Sequence, residues 1–284
     1  MKFGISYNTG HYGVDPDAMI AVARRAEDRG FESFYVPEHI VLYPGAKAGP
    51  YEFPSSLPIA APLECLSFVA AATERILLGT AVLLLPYHHP VVLAKRLATI
   101  DVLSKGRMRL LTVGLGALPG EAEAAGVDFA TRGRRADEAI DVLRLLWAGD
   151  EHGVSFDGEF FSFRDMCSYP KPWHAPELPV HVGGSSRAAA RRAGQRGDGY
   201  FPGGGVDAQE RAAQLEIMRA AAREAGRDAD ALEYTRWEPI DMSAADVEAH
   251  ARNGTTRLVV ATAPGDLREQ LDEISAFADR LELG

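Results

Sequence analysis

The feature that most constrains this chain is a rhythm. A short apolar run followed by a helix-length amphipathic stretch recurs along its whole length. Short apolar runs read as buried strands, and a helix between two of them is the usual connection between parallel neighbours. Strands are predicted at residues 3–7, 31–36, 76–83 and 108–113, then at 180–182, 199–202, 233–238 and 257–261. The first helix opens on Asp15-Pro16, an N-cap followed by a proline at the first helical position. It carries Met19, Val22, Ala23 and Ala26 on one face and ends at Gly30. Further helices are predicted at 63–73, 91–104, 186–196, 208–225, 244–252 and 266–281. Another carries Ala136, Ala139, Ile140, Leu143, Leu146 and Trp147 on one face. Strands alternating with helices define the α/β class. An open doubly wound sheet alternates likewise, but eight units favour closure into a (β/α)8 TIM barrel. A barrel of this kind takes roughly 250 residues, so 284 residues fit a single domain over 1–284. The segment 154–163 breaks the rhythm. Two aromatic-rich runs flank Asp157-Gly158, a hairpin signal, so it is read as an inserted β-hairpin outside the barrel.

Composition excludes several classes of function. Forty acidic residues against thirty basic ones give a formal charge of −10, with no basic cluster. Nucleic-acid affinity rests on neutralising phosphates, so neither nucleic acid nor an anionic membrane is an expected partner. No stretch approaches the ~18 apolar residues of a membrane span; the longest, 76–86, is interrupted by Gly79 and Thr80. The N-terminus lacks the apolar core of a signal peptide, which makes the cytoplasm the expected location. Cys65 and Cys167 are the only cysteines, too few for a disulfide framework and not in a CxxC pair. The expected partners are a small-molecule substrate and a second copy of the chain, since two-fold dimers are the commonest soluble oligomers.

In a barrel the functional groups sit at the C-terminal ends of the strands. Strand two ends Tyr35-Val36-Pro37-Glu38-His39. A carboxylate beside an imidazole suits proton transfer, although a surface loop pair without a role reads the same. Strand three ends Gly79-Thr80-Ala81-Val82-Leu83. Small residues there let a flat ring approach the backbone, and simple β-packing explains them equally. His88-His89 offers two imidazoles, but neighbours on an extended chain point to opposite sides, and no HxH or HExxH accompanies them. No metal is expected. At Val182-Gly183-Gly184-Ser185-Ser186 a strand ends in two glycines and serines open a helix. Free N–H groups at a helix N-terminus bind phosphate, and an ordinary cap looks identical. This segment follows strand five by count, whereas barrel phosphate sites usually follow strands seven and eight. Gly114-Leu115-Gly116 resembles a dinucleotide fingerprint, but the next glycine, Gly120, falls one place late.

Several segments in fixed order carry a family resemblance. They are Val36-Pro37-Glu38-His39, the run from Leu78 to Pro86, His89-Pro90-Val91, Ala94-Lys95 and Leu103-Ser104-Lys105-Gly106-Arg107. Val113-Gly114-Leu115-Gly116, Pro170-Lys171-Pro172, Val182-Gly183-Gly184 and Gly197-Asp198-Gly199-Tyr200 follow. In this order and spacing, over nearly the whole chain, they resemble the luciferase-like monooxygenase superfamily and, within it, the oxidoreductases that use the deazaflavin coenzyme F420. The resemblance implies hydride transfer between F420 and a small organic substrate. It leaves an FMN-dependent monooxygenase and a non-catalytic flavin-binding relative as alternatives. It implies that Glu38 and His39 contact the cofactor ring, with His39 serving catalysis, and that a non-prolyl cis peptide at Ala81-Val82 packs behind the ring. The cofactor-binding set is completed by Thr80, Gly116, Gly183, Gly184, Ser185 and Ser186, the last four around the phosphate. One departure limits the substrate. Some sugar-phosphate dehydrogenases of this group place a glutamate directly after the strand-four Gly-x-Gly as a general acid. Here that residue is Ala117, with Glu121 nearby but displaced, so neither that role nor that substrate carries over.

Overall fold

The computed structural model describes residues 1–263 and 265–284. Its eight parallel strands are β1 (Lys2–Ser6), β2 (Ser33–Val36), β3 (Leu77–Leu84), β4 (Leu110–Gly114), β5 (Val180–Gly183), β6 (Gly199–Phe201), β7 (Glu233–Pro239) and β8 (Arg257–Ala261). They follow one another around a closed barrel, and β8 pairs with β1 from Lys2↔Arg257 to Ile5↔Val260. The sheet is therefore closed, and the predicted strand five is the fifth strand of the barrel.

The helices are α1 (Thr9–Tyr12), α2 (Pro16–Asp28), α3 (Pro62–Ala72), α4 (Pro90–Leu103), α5 (Pro119–Ala124), α6 (Arg132–Ala148), α7 (Arg187–Arg196), α8 (Ala208–Glu224), α9 (Ala244–Arg252) and α10 (Leu267–Arg280). Proline opens α2, α3, α4 and α5, where a missing N–H leaves no helical bond unmade. Asp15 caps α2 by accepting from the Asp17 and Ala18 amides. The apolar face of α6 is buried as its periodicity requires, and Trp147 Nε1 donates to the Ala94 carbonyl at 3.2 Å, docking α6 on α4.

Four elements differ from the sequence reading. α1 and α5 are too short to show a periodicity. A two-stranded ribbon, Lys47–Ala48 with Tyr51–Glu52, stands in the loop after β2. The inserted hairpin, Val154–Asp157 with Ser162–Met166, lies outside the barrel as expected, but Asp157 pairs with Ser162, so the turn is wider than Asp-Gly alone. The reason is Glu138 of α6, which accepts from the Phe160 and Phe161 amides while the Phe161 ring enters the core.

The N-terminal end of the barrel is closed by charge. Arg257, 1% exposed, donates to Glu32 at 3.0 Å and to Glu233 at 2.6 Å, and Lys2 reaches the same two carboxylates. Burial raises the carboxyl pKa of Glu233, but its bonds to Arg257 win and hold it down at about 2. Beside it, burial depresses the pKa of the inward-facing His181 to about 4, with Glu233 at 3.6 Å only partly offsetting this. A histidine kept neutral in the fold takes up its proton first in the unfolded chain, so its contribution is lost as pH falls from about 6.5 towards 4. Stability measured by denaturant titration is expected to fall in that window by up to about 1.4 kcal/mol per pH unit. His181→Gln is expected to flatten the slope. Parallel slopes in the two proteins would contradict the assignment.

Candidate active site

At the opposite end, the strand ends surround a cavity of about 600 Å³. Its floor is built from β3, β4 and β5. The Ala81–Val82 peptide is cis, and the pairing of β3 with β4 shifts between Ala81 and Leu83. The Val82 side chain occupies space that other residues would fill. A Cβ at Gly114 would lie 2.5 Å from it, and one at Gly183 would lie 2.6 Å away. Glycine at the ends of β4 and β5 is thus what admits Val82, which gives Val113-Gly114 and Val182-Gly183 a packing reason.

One wall carries two histidine–glutamate pairs. Glu38, just beyond β2, accepts from the Leu84 amide at 2.6 Å and lies 3.0 Å from His88 Nε2. It ties the end of β2 to the end of β3. His39 turns the other way. Its Nδ1 lies 3.1 Å from Glu121 Oε2, and the Ile40 amide donates to Glu121 Oε1 at 2.6 Å. Glu121 is fully buried in the first turn of α5, and the edge of Phe53 meets the His39 ring with 4.8 Å between centroids. With Nδ1 engaged, Nε2 is the ring nitrogen left for the cavity.

This corrects the expected Glu38–His39 couple. Successive side chains of an extended chain point to opposite faces, so the two neighbours serve different partners. The same rule separates His88, on Glu38, from His89, whose ring stands edge-on to Phe161 at 5.4 Å. Sequence reading set Glu121 aside because it is displaced from Gly116. Its signal was present in Pro119-Gly120-Glu121, a proline-opened helix with an acid in the first turn, where the helix dipole favours a carboxylate.

The far wall suits an anion. Gly183, Gly184, Ser186 and Ala189 line it at the N-terminus of α7, and Arg132 from the start of α6 faces them. Arg132 Nε is buried without a partner, while its guanidinium sits over the Phe129 ring, 3.6 Å from the centroid. Ser186 Oγ accepts from the Ala189 amide at 3.1 Å, so its capping role and its place in the wall coincide. Gly184 has φ 107°, a backbone that residues with side chains rarely adopt. The Tyr200 hydroxyl fixes this loop from behind, lying 2.9 Å from the Gly184 carbonyl and 2.8 Å from Gln214, whose amide donates to the Ser185 carbonyl.

Two residues expected in the set do not line the cavity. Thr80 is buried beneath it and donates to the Thr112 carbonyl at 2.8 Å, while the Ser185 hydroxyl turns to the Gly204 carbonyl at 3.3 Å. Gly116 is in the wall, as are Glu38, His39, Ala81 and Val82. The remaining lining is largely apolar, with Ala48, Phe53, Leu57 and Ile59 from the long loop after β2. Arg132 escaped notice because nothing local distinguishes it from any arginine opening an amphipathic helix.

The model of the luciferase-like monooxygenase family matches residues 1–281, and the chain belongs to that family. A relative named F420-dependent glucose-6-phosphate dehydrogenase, from Microbacterium testaceum, is 28% identical over 98% of this chain and 88% of its own length. Two solved structures share the fold. The monooxygenase RslO1 from Streptomyces bottropensis superposes with a TM-score of 0.82 at 21% identity, covering 99% of both chains. An F420-dependent secondary alcohol dehydrogenase in complex with an F420-acetone adduct superposes at 0.80 and 19%, covering 99% of this chain and 98% of the other. At such identities these structures speak for the fold alone.

Glu121 is a structural anchor whatever the chemistry. Glu121→Ala strands the Ile40 amide and is expected to cost about 1–3 kcal/mol, the penalty of a buried donor left unpaired. Glu121→Gln keeps an acceptor and is expected to lose less. Unfolding curves that rank the two variants the other way would remove the anchoring role.

Proposed function

We propose that this chain is an oxidoreductase that binds F420 and moves hydride between it and a small, uncharged organic substrate. The observation that carries the reading is the pairing of His39 with buried Glu121, which leaves Nε2 facing a cavity with a small-residue floor and an anion-suited wall. The residues fit the cofactor. The Ala81–Val82 floor would lie under a flat ring, and the buried Nε of Arg132 with the N-terminus of α7 would hold a phosphate. The name of the Microbacterium testaceum relative supports the same cofactor. When bound, F420 supplies the hydride acceptor or donor.

The chain's own groups then have distinct tasks. His39 Nε2 holds or moves the proton at the substrate oxygen, with Glu121 fixing the ring in place, as a third group orients the base in other acid–base constellations. Phe53, Leu57 and Ile59 exclude water from the reacting end. Ala117 occupies the place of the glutamate found in some sugar-phosphate dehydrogenases, and among the described residues that apolar end carries no arginine or lysine. A small neutral alcohol or carbonyl compound therefore suits the cavity better than a sugar phosphate.

The two ends of the cavity are separable by mutation. His39→Ala is expected to lower turnover by about 10²-fold, the usual range for a positioned acid or base, with a smaller change in cofactor affinity. Arg132→Gln is expected to weaken cofactor binding about tenfold, the effect of roughly 1.4 kcal/mol of lost charge-assisted hydrogen bonding, while turnover at saturating cofactor survives. Steady-state kinetics combined with fluorescence titration of F420 separate these effects. If His39→Ala lost affinity while keeping turnover, the catalytic role would be withdrawn.

A further inference from the structure

Four arginines are buried among the described residues: Arg107, Arg192, Arg236 and Arg257. Three are saturated by the chain itself. Arg257 is held by Glu32 and Glu233, and Arg192 is clamped by Asp137. Arg107 gives its guanidinium to the carbonyls of Ala70, Thr73, Ile76 and Ser104 and to the Thr73 hydroxyl. Arg236 is the exception. It is 7% exposed, its Nε and Nη1 are buried without any hydrogen-bond partner, and among the described residues no carboxylate pairs with it. A guanidinium stays charged at any pH the fold survives, so its counter-charge must come from somewhere.

The surroundings of Arg236 answer where. It stands on the outer face of β7, next to Tyr234, whose phenol is pushed up by burial and partly drawn back by the Arg236 charge and a side-chain hydrogen bond from it; a neutral phenol does not balance the guanidinium charge. It borders a cavity of about 390 Å³ on the flank of the barrel, between α8 and the turn that follows α9. That cavity is separate from the active site and shares no lining residue with it. Four arginines, Arg211, Arg219, Arg236 and Arg252, line it against one glutamate, Glu216. Glu216 is engaged with Arg219 at 2.9 Å, Arg252 lies 3.6 Å from Glu248, Arg211 donates to the Val206 carbonyl, and His250 in the wall faces Glu238 at 3.0 Å, which leaves Arg236 as the one without a carboxylate or carbonyl partner among these groups. The carbonyl end of α9 does not supply the missing negative charge. Its last carbonyls accept from the Asn253, Gly254 and Thr255 amides. Ala208, Ala212 and Leu215 of the same α8 wall add apolar surface beside these arginines.

We propose that this flank cavity is a binding site for a small organic phosphate, with Arg236 at its base and Arg211 and Arg219 along its α8 wall. Guanidinium groups converging from β7 and α8 match phosphoryl oxygens, and the volume leaves room for a modest organic portion against the α8 wall. The site lies on a chain whose net charge is −10, so the excess of cations is local and not a general property of the surface.

The test uses inorganic pyrophosphate as the probe, by isothermal titration in chloride at matched ionic strength. Because Arg132 offers a second anion site, the titration is run in an Arg132→Gln background. One saturable pyrophosphate site is expected there. Adding Arg236→Leu is expected to raise its Kd at least about tenfold, and adding Arg219→Gln severalfold. Thermal unfolding without pyrophosphate provides a separate readout. Arg236→Leu removes an uncompensated buried charge and is expected to be at least as stable as its parent, whereas an arginine needed only for the fold would leave a less stable protein. Should Arg236→Leu fail to fold, Arg219→Gln decides. The absence of saturable binding, or an unchanged Kd in the variants, overturns the proposal.

Discussion

Everything functional in this molecule depends on barrel closure at the seam between β1 and β8. The strand ends that build the cavity run from β1, just beyond which lie Asn8 and His11, to β5, and only a closed ring fixes them around one opening. The seam carries its own lock. Arg257 opens β8, Glu233 opens β7, Glu32 precedes β2 and Lys2 opens β1, so Arg257 and Lys2, sharing the same two carboxylates, join the starts of four neighbouring strands. Desolvating these charges is costly, and removing one partner of such a set typically costs about 3–5 kcal/mol because a charge is left stranded. The lock lies at the end opposite the cavity, so stability and chemistry occupy different faces of the same strands, a division general to this fold.

The fate of each arginine follows from whether its charge is answered. Arg257 and Arg192 meet carboxylates, Arg107 meets carbonyls, and these three hold the fold together. Arg132 and Arg236 have buried donors that nothing in the chain answers, and each borders a cavity. The first lines the candidate active site and the second the flank cavity. Incomplete satisfaction is rare in folded proteins, and where it occurs beside open volume a ligand is the natural complement.

Much of the fold was legible because its signals are local. The bounds of β8 at Arg257–Ala261 and α9 at Ala244–Arg252 coincide with the periodicity, and the Asp15-Pro16 cap and the buried face of α6 follow from nearest neighbours along the chain. The site was legible only in part. Val82, Gly183 and His39 sit in motifs whose order along the chain can be matched to relatives. The partner of His39 lies 82 residues away, and only the folded chain reveals that Glu121, and not the adjacent Glu38, turns towards it. Thr80 and Ser185 lie off the cavity wall for the related reason that membership of a motif does not say which face of the backbone a hydroxyl takes. The ribbon at Lys47–Ala48 and Tyr51–Glu52 was missed because two residues per strand carry no period, although its loop supplies Ala48, Tyr51 and Phe53 to the cavity wall.

The central claim is that the cavity at the strand ends is shaped for a deazaflavin, with an anion held by Arg132 and the start of α7. Equilibrium titration of the protein with F420 and, separately, with FMN, followed by the change in cofactor fluorescence, tests it most directly. The account predicts saturable, one-to-one binding of F420 that is at least tenfold tighter than that of FMN. Tight binding of FMN with no measurable binding of F420 would contradict it.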